Sequence, residues 1–157
     1  MSITASDNYF EDFEVGSLFQ HARGRTVTEM DNVLITLMAM NTAQGHFNEL
    51  SMKETDFGQR IVFGGITASI VIGLASQDTA EHAVEEKGLD KIRFSSPVFH
   101  GDTLHAFTEV IGTEPLPSRV DAGIVRFRHY GVNQRDQIVF EGERTVVISR
   151  RDHAAST

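Results

Sequence analysis

The chain has 157 residues, 40 % of them apolar, which suits one globular domain with a sizeable core. Fourteen basic residues against twenty-two acidic ones leave a formal charge of −8, and no basic run exceeds Arg150-Arg151, so the field that a phosphate backbone needs is missing and nucleic acid is excluded as a partner. Cysteine is absent, which excludes a disulfide framework, thiolate metal ligands and a thiolate nucleophile.

The opening "MSITASDNYFEDF" is acidic and lacks the apolar core of a signal peptide, so the expected compartment is cytoplasmic. Met30, Val33, Leu34, Leu37 and Met38 then recur at three- and four-residue intervals, with Thr28 and Asp31 spaced as an N-cap and its returning acid. This predicts a helix from near Thr28 to Met40 or Asn41, and puts His46 in an irregular segment beyond it. Gly58 marks a turn, and after "RIVF" come Gly64 and Gly65. A second helix is expected from about Gly65 to Ala80, with Ile66, Ile70, Leu74 and Ala75 on one face. Ala68, Val71 and Ile72 make the rest so apolar that it must be covered on most sides. Its apolar run falls short of the roughly 20 residues that a membrane span requires. The polar stretch "SQDTAEHAVEEKGLD" reads as the end of this helix, with Gly88 as its stop.

From residue 91 the text becomes strand-like. "KIRFSSPVF" precedes a turn at His100-Gly101-Asp102, and Pro97 belongs at a bulge or an edge. "TLHAFTEVIGTE" follows as a second strand. A third, Arg119 to Tyr130, alternates Val125, Phe127 and His129 against Arg126, Arg128 and Tyr130, and a fourth alternates Phe140, Gly142, Arg144, Val146 and Ile148 against their neighbours. Four strands after one buried helix predict an α+β domain whose curved antiparallel sheet wraps that helix. Residues 1–157 are expected to form one domain, with residues 1–7 and 151–157 as loose ends.

Taken together, "GHFNE", "FGQRIVFGGITASIVIGLA", "RFSSPVFHGDTL" and "VFEGERTVVI" resemble the MaoC-like (R)-specific enoyl-CoA hydratases and dehydratases of the hotdog fold, over roughly residues 8–150. The resemblance implies a single hotdog domain with a long central helix, pairing of two such domains into at least a homodimer, and thioester chemistry in a tunnel at or near the pair's interface. It implies an acyl-CoA substrate, with no cofactor besides the CoA that the substrate carries. The family places an aspartate five residues before its histidine, with an asparagine and a proline between. Here Asn41 holds the aspartate's place, Ala43 and Gln44 hold the other two, and the family's histidine-glycine pair becomes Gly64-Gly65.

Hydrating an α,β-unsaturated thioester requires a base for water, an acid for the α-carbon and a donor to the thioester oxygen, where enolate charge develops. His46 is the expected proton-transfer group, since imidazole exchanges protons near neutral pH. Asn41 cannot do so and is expected to orient the water. The Gly65 N–H, at the helix start, is the expected donor to the thioester oxygen. Gly64, Asn48, Ile66 and Arg93 are expected to bind substrate, with Arg126, Arg128 and Arg144 as further candidates for CoA phosphates or a second carboxylate. Glu49, Glu54 and Asp56 are candidates for a second acid or base, and no spacing rule selects among them. His82, His100, His105, His129 and His153 have no such support. No metal-ligand cadence, dinucleotide-binding fingerprint or phosphate-binding loop is present. The expected function is a hydro-lyase acting on a short or branched acyl-CoA of mesaconyl or itaconyl type. The alternatives are a hotdog acyl-CoA thioesterase and a catalytically silent acyl-CoA-binding subunit.

Overall fold

The chain starts its folded part with a single 3-10 turn, Phe10–Asp12, and strand β1, Leu18–Thr26, in a computed structural model that describes residues 8–152. Helix α1 spans Glu29–Met38, and the expected cap is there: the Thr28 hydroxyl accepts from the Asp31 N–H while the Asp31 carboxylate accepts from the Thr28 N–H. Two single-turn helices follow, α2 at Gln44–Phe47 and α3 at Glu49–Met52, so His46 lies on a helical turn rather than in irregular chain. Helix α4, Gly64–Thr79, is the long apolar helix, and strands β2, Ala83–Arg93, β3, Thr103–Pro115, β4, Ala122–Asn133, and β5, Ile138–Ser149, complete the chain.

All strand pairs are antiparallel, in the order β1-β3-β4-β5-β2, and the sheet wraps α4 to give a hotdog-type α+β domain. Along β4, Val125, Phe127 and His129 face inward as their alternation predicts, and along β5 so do Gly142, Arg144 and Val146. The inward residues form two apolar groups. One gathers Ile66, Ile70 and Val71 of α4 with Leu104, Ala106 and Phe140; the other gathers Phe13, Phe19, Val110, Phe127 and Ile148.

Three expectations are corrected. The sheet has five strands rather than four, because β1 also belongs to it. It buries only Phe19 and His21 and so shows almost no apolar alternation. Helix α4 stops at Thr79, and the polar stretch after it is strand β2, with Gly88 at a register shift against β5 rather than at a helix end. An edge strand paired on one side only can keep Glu85, Glu86, Lys87 and Asp90 in solvent, which removes its period-2 signature. Beyond Arg93 the chain leaves the sheet, so Phe94 to Val98, Pro97 included, is an irregular connection. The third correction concerns α1, which ends at Met38 rather than at Met40 or Asn41, because Met40 turns into the left-handed region at φ 54°. Its apolar stripe faces outward in the single chain, with Met30 75 % and Met38 76 % exposed, while Asn32 and Thr36 are its buried residues.

Residues 1–7 and 153–157 of the expected loose ends lie outside the described residues. Arg150 and Arg151, beside them, pair with Glu11 and Asp12 and lie over the Phe10 and Tyr9 rings at 4.5 and 4.7 Å. Among the described residues no helix is long and apolar enough to cross a membrane.

Candidate active site

Alpha-helix α2 presents His46 to a cleft of about 330 Å³ whose other walls come from the start of α4 and the irregular connection after β2. The imidazole is 9 % exposed and stands 5.7 Å from the Phe63 ring, centroid to centroid. Its Nδ1 lies 2.9 Å from the Ile61 carbonyl oxygen. A carbonyl only accepts, so Nδ1 carries a proton, and in the neutral ring the lone pair is then on Nε2, the tautomer that a general base requires. The Ile61 N–H in turn donates to the Gly45 carbonyl, which ties the segment before α4 to the turn that carries the histidine.

At the head of α4, Ile66 and Thr67 donate to the Phe63 carbonyl, whereas the N–H groups of Gly64 and Gly65 have no backbone acceptor among the described residues. Neither position has room for a side chain. A Cβ on Gly64 would stand 2.9 Å from the Phe94 ring, and one on Gly65 would stand 2.7 Å from the Phe63 ring. Both glycines thus let aromatic rings close over the helix start. Gly64 lines the cleft with Thr67, Ser95 and Ser96, while Gly65 sits behind the Phe63 ring and is not part of the lining.

The remaining expected site residues are dispersed. Asn41 follows α1, and its Oδ1 accepts from the Ala43 N–H at 3.0 Å, an Asx turn that leads the chain into α2; it does not line the cleft. Asn48 caps α3 through the Ser51 N–H and donates to Gln44. Ile66 is fully buried in the core. Arg93 ends β2, exposed, next to Phe94 of the cleft wall. Arg126, Arg128 and Arg144 are paired with Glu114, Glu143 and Glu86, whereas no ion pair engages Arg93 among the described residues.

Of the candidate second carboxylates, Glu49 accepts from Arg60, whose guanidinium holds its carboxyl below the usual range, and neither it nor Glu54 nor Asp56 lines the cleft. His46 is therefore the one titratable side chain in the lining among the described residues. No group of three or more metal-ligating side chains occurs among them. Sequence reasoning missed Thr67, Ser95, Ser96 and above all Asn32. The asparagine sits on the face of α1 opposite the apolar stripe, together with Thr36, so the hydrophobic pattern carried no signal for it.

A family model described as mesaconyl-CoA hydratase matches residues 3–150. The chain is 34 % identical over 132 residues to a β-methylmalyl-CoA dehydratase of Chloroflexus aurantiacus, covering 83 % of this chain and 37 % of that protein. It is 30 % identical over 158 residues to a mesaconyl-CoA hydratase of Haloarcula marismortui, covering 94 % and 44 %. The chain thus spans less than half the length of these relatives. Among solved structures, a MaoC-like dehydratase from Rhodospirillum rubrum superposes with a TM-score of 0.81 at 26 % identity, covering 92 % of this chain and 99 % of that one.

Proposed function

We propose that this chain, which belongs to the mesaconyl-CoA hydratase family of MaoC-like hotdog domains, is a hydro-lyase that reversibly hydrates an α,β-unsaturated acyl-CoA, with His46 as its proton-transfer group. The observation that carries the reading is the 2.9 Å bond from His46 Nδ1 to the Ile61 carbonyl, which in the neutral ring puts the lone pair on Nε2, on a residue that lines a cleft shared with the head of α4. Nε2 takes a proton from water as the water oxygen bonds to the β-carbon. The electron pair of the double bond moves toward the thioester, whose oxygen gains enolate charge. That oxygen is stabilised at the head of α4 by the N–H of Gly64, which lines the cleft, with that of Gly65 next along the helix. The imidazolium then returns its proton to the α-carbon, so atoms and charge balance with one titratable group. Asn41, expected to orient the water, lies off the cleft lining and acts on the site through the Asx turn that leads the chain into α2.

The substrate is of short or branched type, mesaconyl- or itaconyl-like. The family description and the relatives' names support this, while Arg93, expected to bind substrate, lies outside the cleft lining beside Glu141 and Glu143. The same reading has two domains pair through β2, an edge strand with Val84, Leu89 and Ile92 exposed. Sedimentation at micromolar concentration should give the mass of at least a dimer, and a monomer would refute the pairing. A cysteine-free chain acting on CoA thioesters suits the cytoplasm.

The deciding experiment incubates the purified protein with crotonyl-, mesaconyl- and itaconyl-CoA and resolves the products. Hydrated acyl-CoA supports the reading. Free CoA would indicate a thioesterase, and unchanged substrate a silent binder.

A further inference from the structure

Asn32 stands in the first half of α1, fully buried with Thr36 on the face opposite the exposed apolar stripe. A buried carboxamide is costly unless each of its polar positions is matched. Here they are. Oδ1 accepts from the Phe63 N–H at 3.0 Å and from the Thr36 hydroxyl at 3.3 Å. Nδ2 faces His100 Nε2 at 2.9 Å, the Ile61 carbonyl at 3.2 Å and the His46 carbonyl at 3.4 Å. The orientation of the amide is unambiguous, because turning it over would aim an acceptor at two carbonyls and a donor at the Phe63 N–H.

The groups it holds are those on which the site depends. The Ile61 carbonyl is the acceptor for His46 Nδ1, the His46 carbonyl belongs to the base itself, and Phe63 is the residue immediately before α4. One side chain thus binds the turn that carries the base, the carbonyl that sets its tautomer and the residue after which the free N–H groups of α4 begin. His100 fits as a neutral acceptor: burial, and then the charge of Arg60, push its imidazole below the ordinary value. The charged groups at the rim of this cluster are Arg60 and the two carboxylates it binds, Glu29 and Glu49.

We infer that Asn32 is a positioning residue of the hydration site, whose carboxamide fixes the Nδ1–H tautomer of His46 and aligns its Nε2 with the head of α4. The inference rests on the reading of His46 as the base. Burial of this position alone does not require it, since a leucine, branched at the same carbon, would occupy the space without hydrogen-bonding any of these groups. Aspartate keeps the shape and the acceptor toward Phe63, but replaces the donor with an oxygen facing three acceptors and adds a charge beside the imidazole.

The test compares Asn32→Asp and Asn32→Leu with the parental protein and with Asp78→Asn, a buried change remote from the cleft. Kinetics on the hydrated thioester and the ¹⁵N shifts of His46 are read together. Both Asn32 variants should lose about 10- to 100-fold in kcat/KM, mostly in kcat, as expected for a displaced base. In Asn32→Asp the acid limb of the pH profile should move to higher pH. The His46 ring should show the Nδ1–H tautomer in the parental protein and in Asp78→Asn, and a mixture or an imidazolium in the Asn32 variants. Parental kinetics and an unmoved tautomer with lowered melting temperature would reduce Asn32 to a structural clip and overturn the inference.

If neither Asn32 variant folds, the parental protein still decides: rapid solvent exchange of the Asn32 side-chain amide, or a His46 ring protonated at Nε2, contradicts the proposal. Activity retained in His46→Ala would refute the base itself, an outcome that the tautomer measurement keeps separate from failure at Asn32.

Discussion

Two of the buried polar clusters among the described residues contain histidines that differ in exposure, and only one puts a histidine ring on a cleft. Around Asn32, the His46 ring is anchored at Nδ1 and presents Nε2 to open space. The second cluster lies between the two apolar cores, where β3 passes from Leu104 and Ala106 through Thr108 to Val110. There His21 Nδ1 stands 2.5 Å from Asp78, His21 Nε2 stands 2.6 Å from the Thr108 hydroxyl, and that hydroxyl stands 2.8 Å from His129 Nδ1. With His21 neutral, as its burial favours, the directions are consistent one way: His21 donates to the carboxylate and accepts from the Thr108 hydroxyl, whose oxygen accepts from His129. Every histidine in the second cluster is sealed from solvent, and none lines the cleft. Burial and hydrogen bonding alone therefore do not single out a reactive histidine. A ring nitrogen left open toward a ligand-sized space does.

Several measurements break or sharpen this contrast. The largest effect is expected at the head of α4. Gly65→Val would drive its side chain into the Phe63 ring, the ring packed near His46, and should lower turnover by roughly 100-fold or more, while the exposed Glu85→Ala leaves it unchanged. Equal activity in the two variants would refute the ring's place in the site.

The sealed cluster should show itself in acid stability instead. Burial, followed by the nearby Arg144 charge, pushes the His129 imidazole down to about 3 from an ordinary 6.5, so between these values the unfolded chain binds a proton that the folded chain does not. Stability is then fully present above pH 6.5 and falls as the pH drops toward 3, by about 1.4 kcal/mol per pH unit for this one group. His21 is lowered in the same direction by its own burial, against the pull of Asp78. Urea unfolding at pH 6.5 and pH 5 should differ by about 2 kcal/mol, and a flat profile would show that His129 takes up its proton without opening the core.

Asn41 should give the smallest effect. Asn41→Ala loses the Asx turn and should cost about 1 kcal/mol of stability and less than about tenfold in turnover. Asn41→Asp keeps the turn acceptor and should lower or alter activity rather than raise it. A large gain would show that the native amide leaves a two-group mechanism incomplete.

The sequence made some of this legible and hid the rest for physical reasons. The Thr28–Asp31 cap, the apolar run of α4 and the alternation along β3, β4 and β5 are local signals, and they place the central helix and most of the sheet. Strand β2 was hidden because an edge strand in solvent can carry charges at almost every position, and β1 because it buries only two side chains. The stripe on α1 correctly announced a helix, but periodicity does not say whether an apolar face meets its own chain. The buried face belongs to Asn32 and Thr36. His46 came forward through resemblance rather than spacing. Its cleft could not, because Phe94, Ser95 and Ser96 meet the head of α4 only through the long-range closure of the fold.

The most direct test of the account is the turnover of His46→Ala on whichever acyl-CoA the parental protein hydrates, with the folded spectrum checked on the same sample. Loss of a positioned proton-transfer group predicts a fall of roughly 10²–10⁴-fold with that spectrum intact. Parental turnover in the folded variant would contradict it and remove His46 from the chemistry.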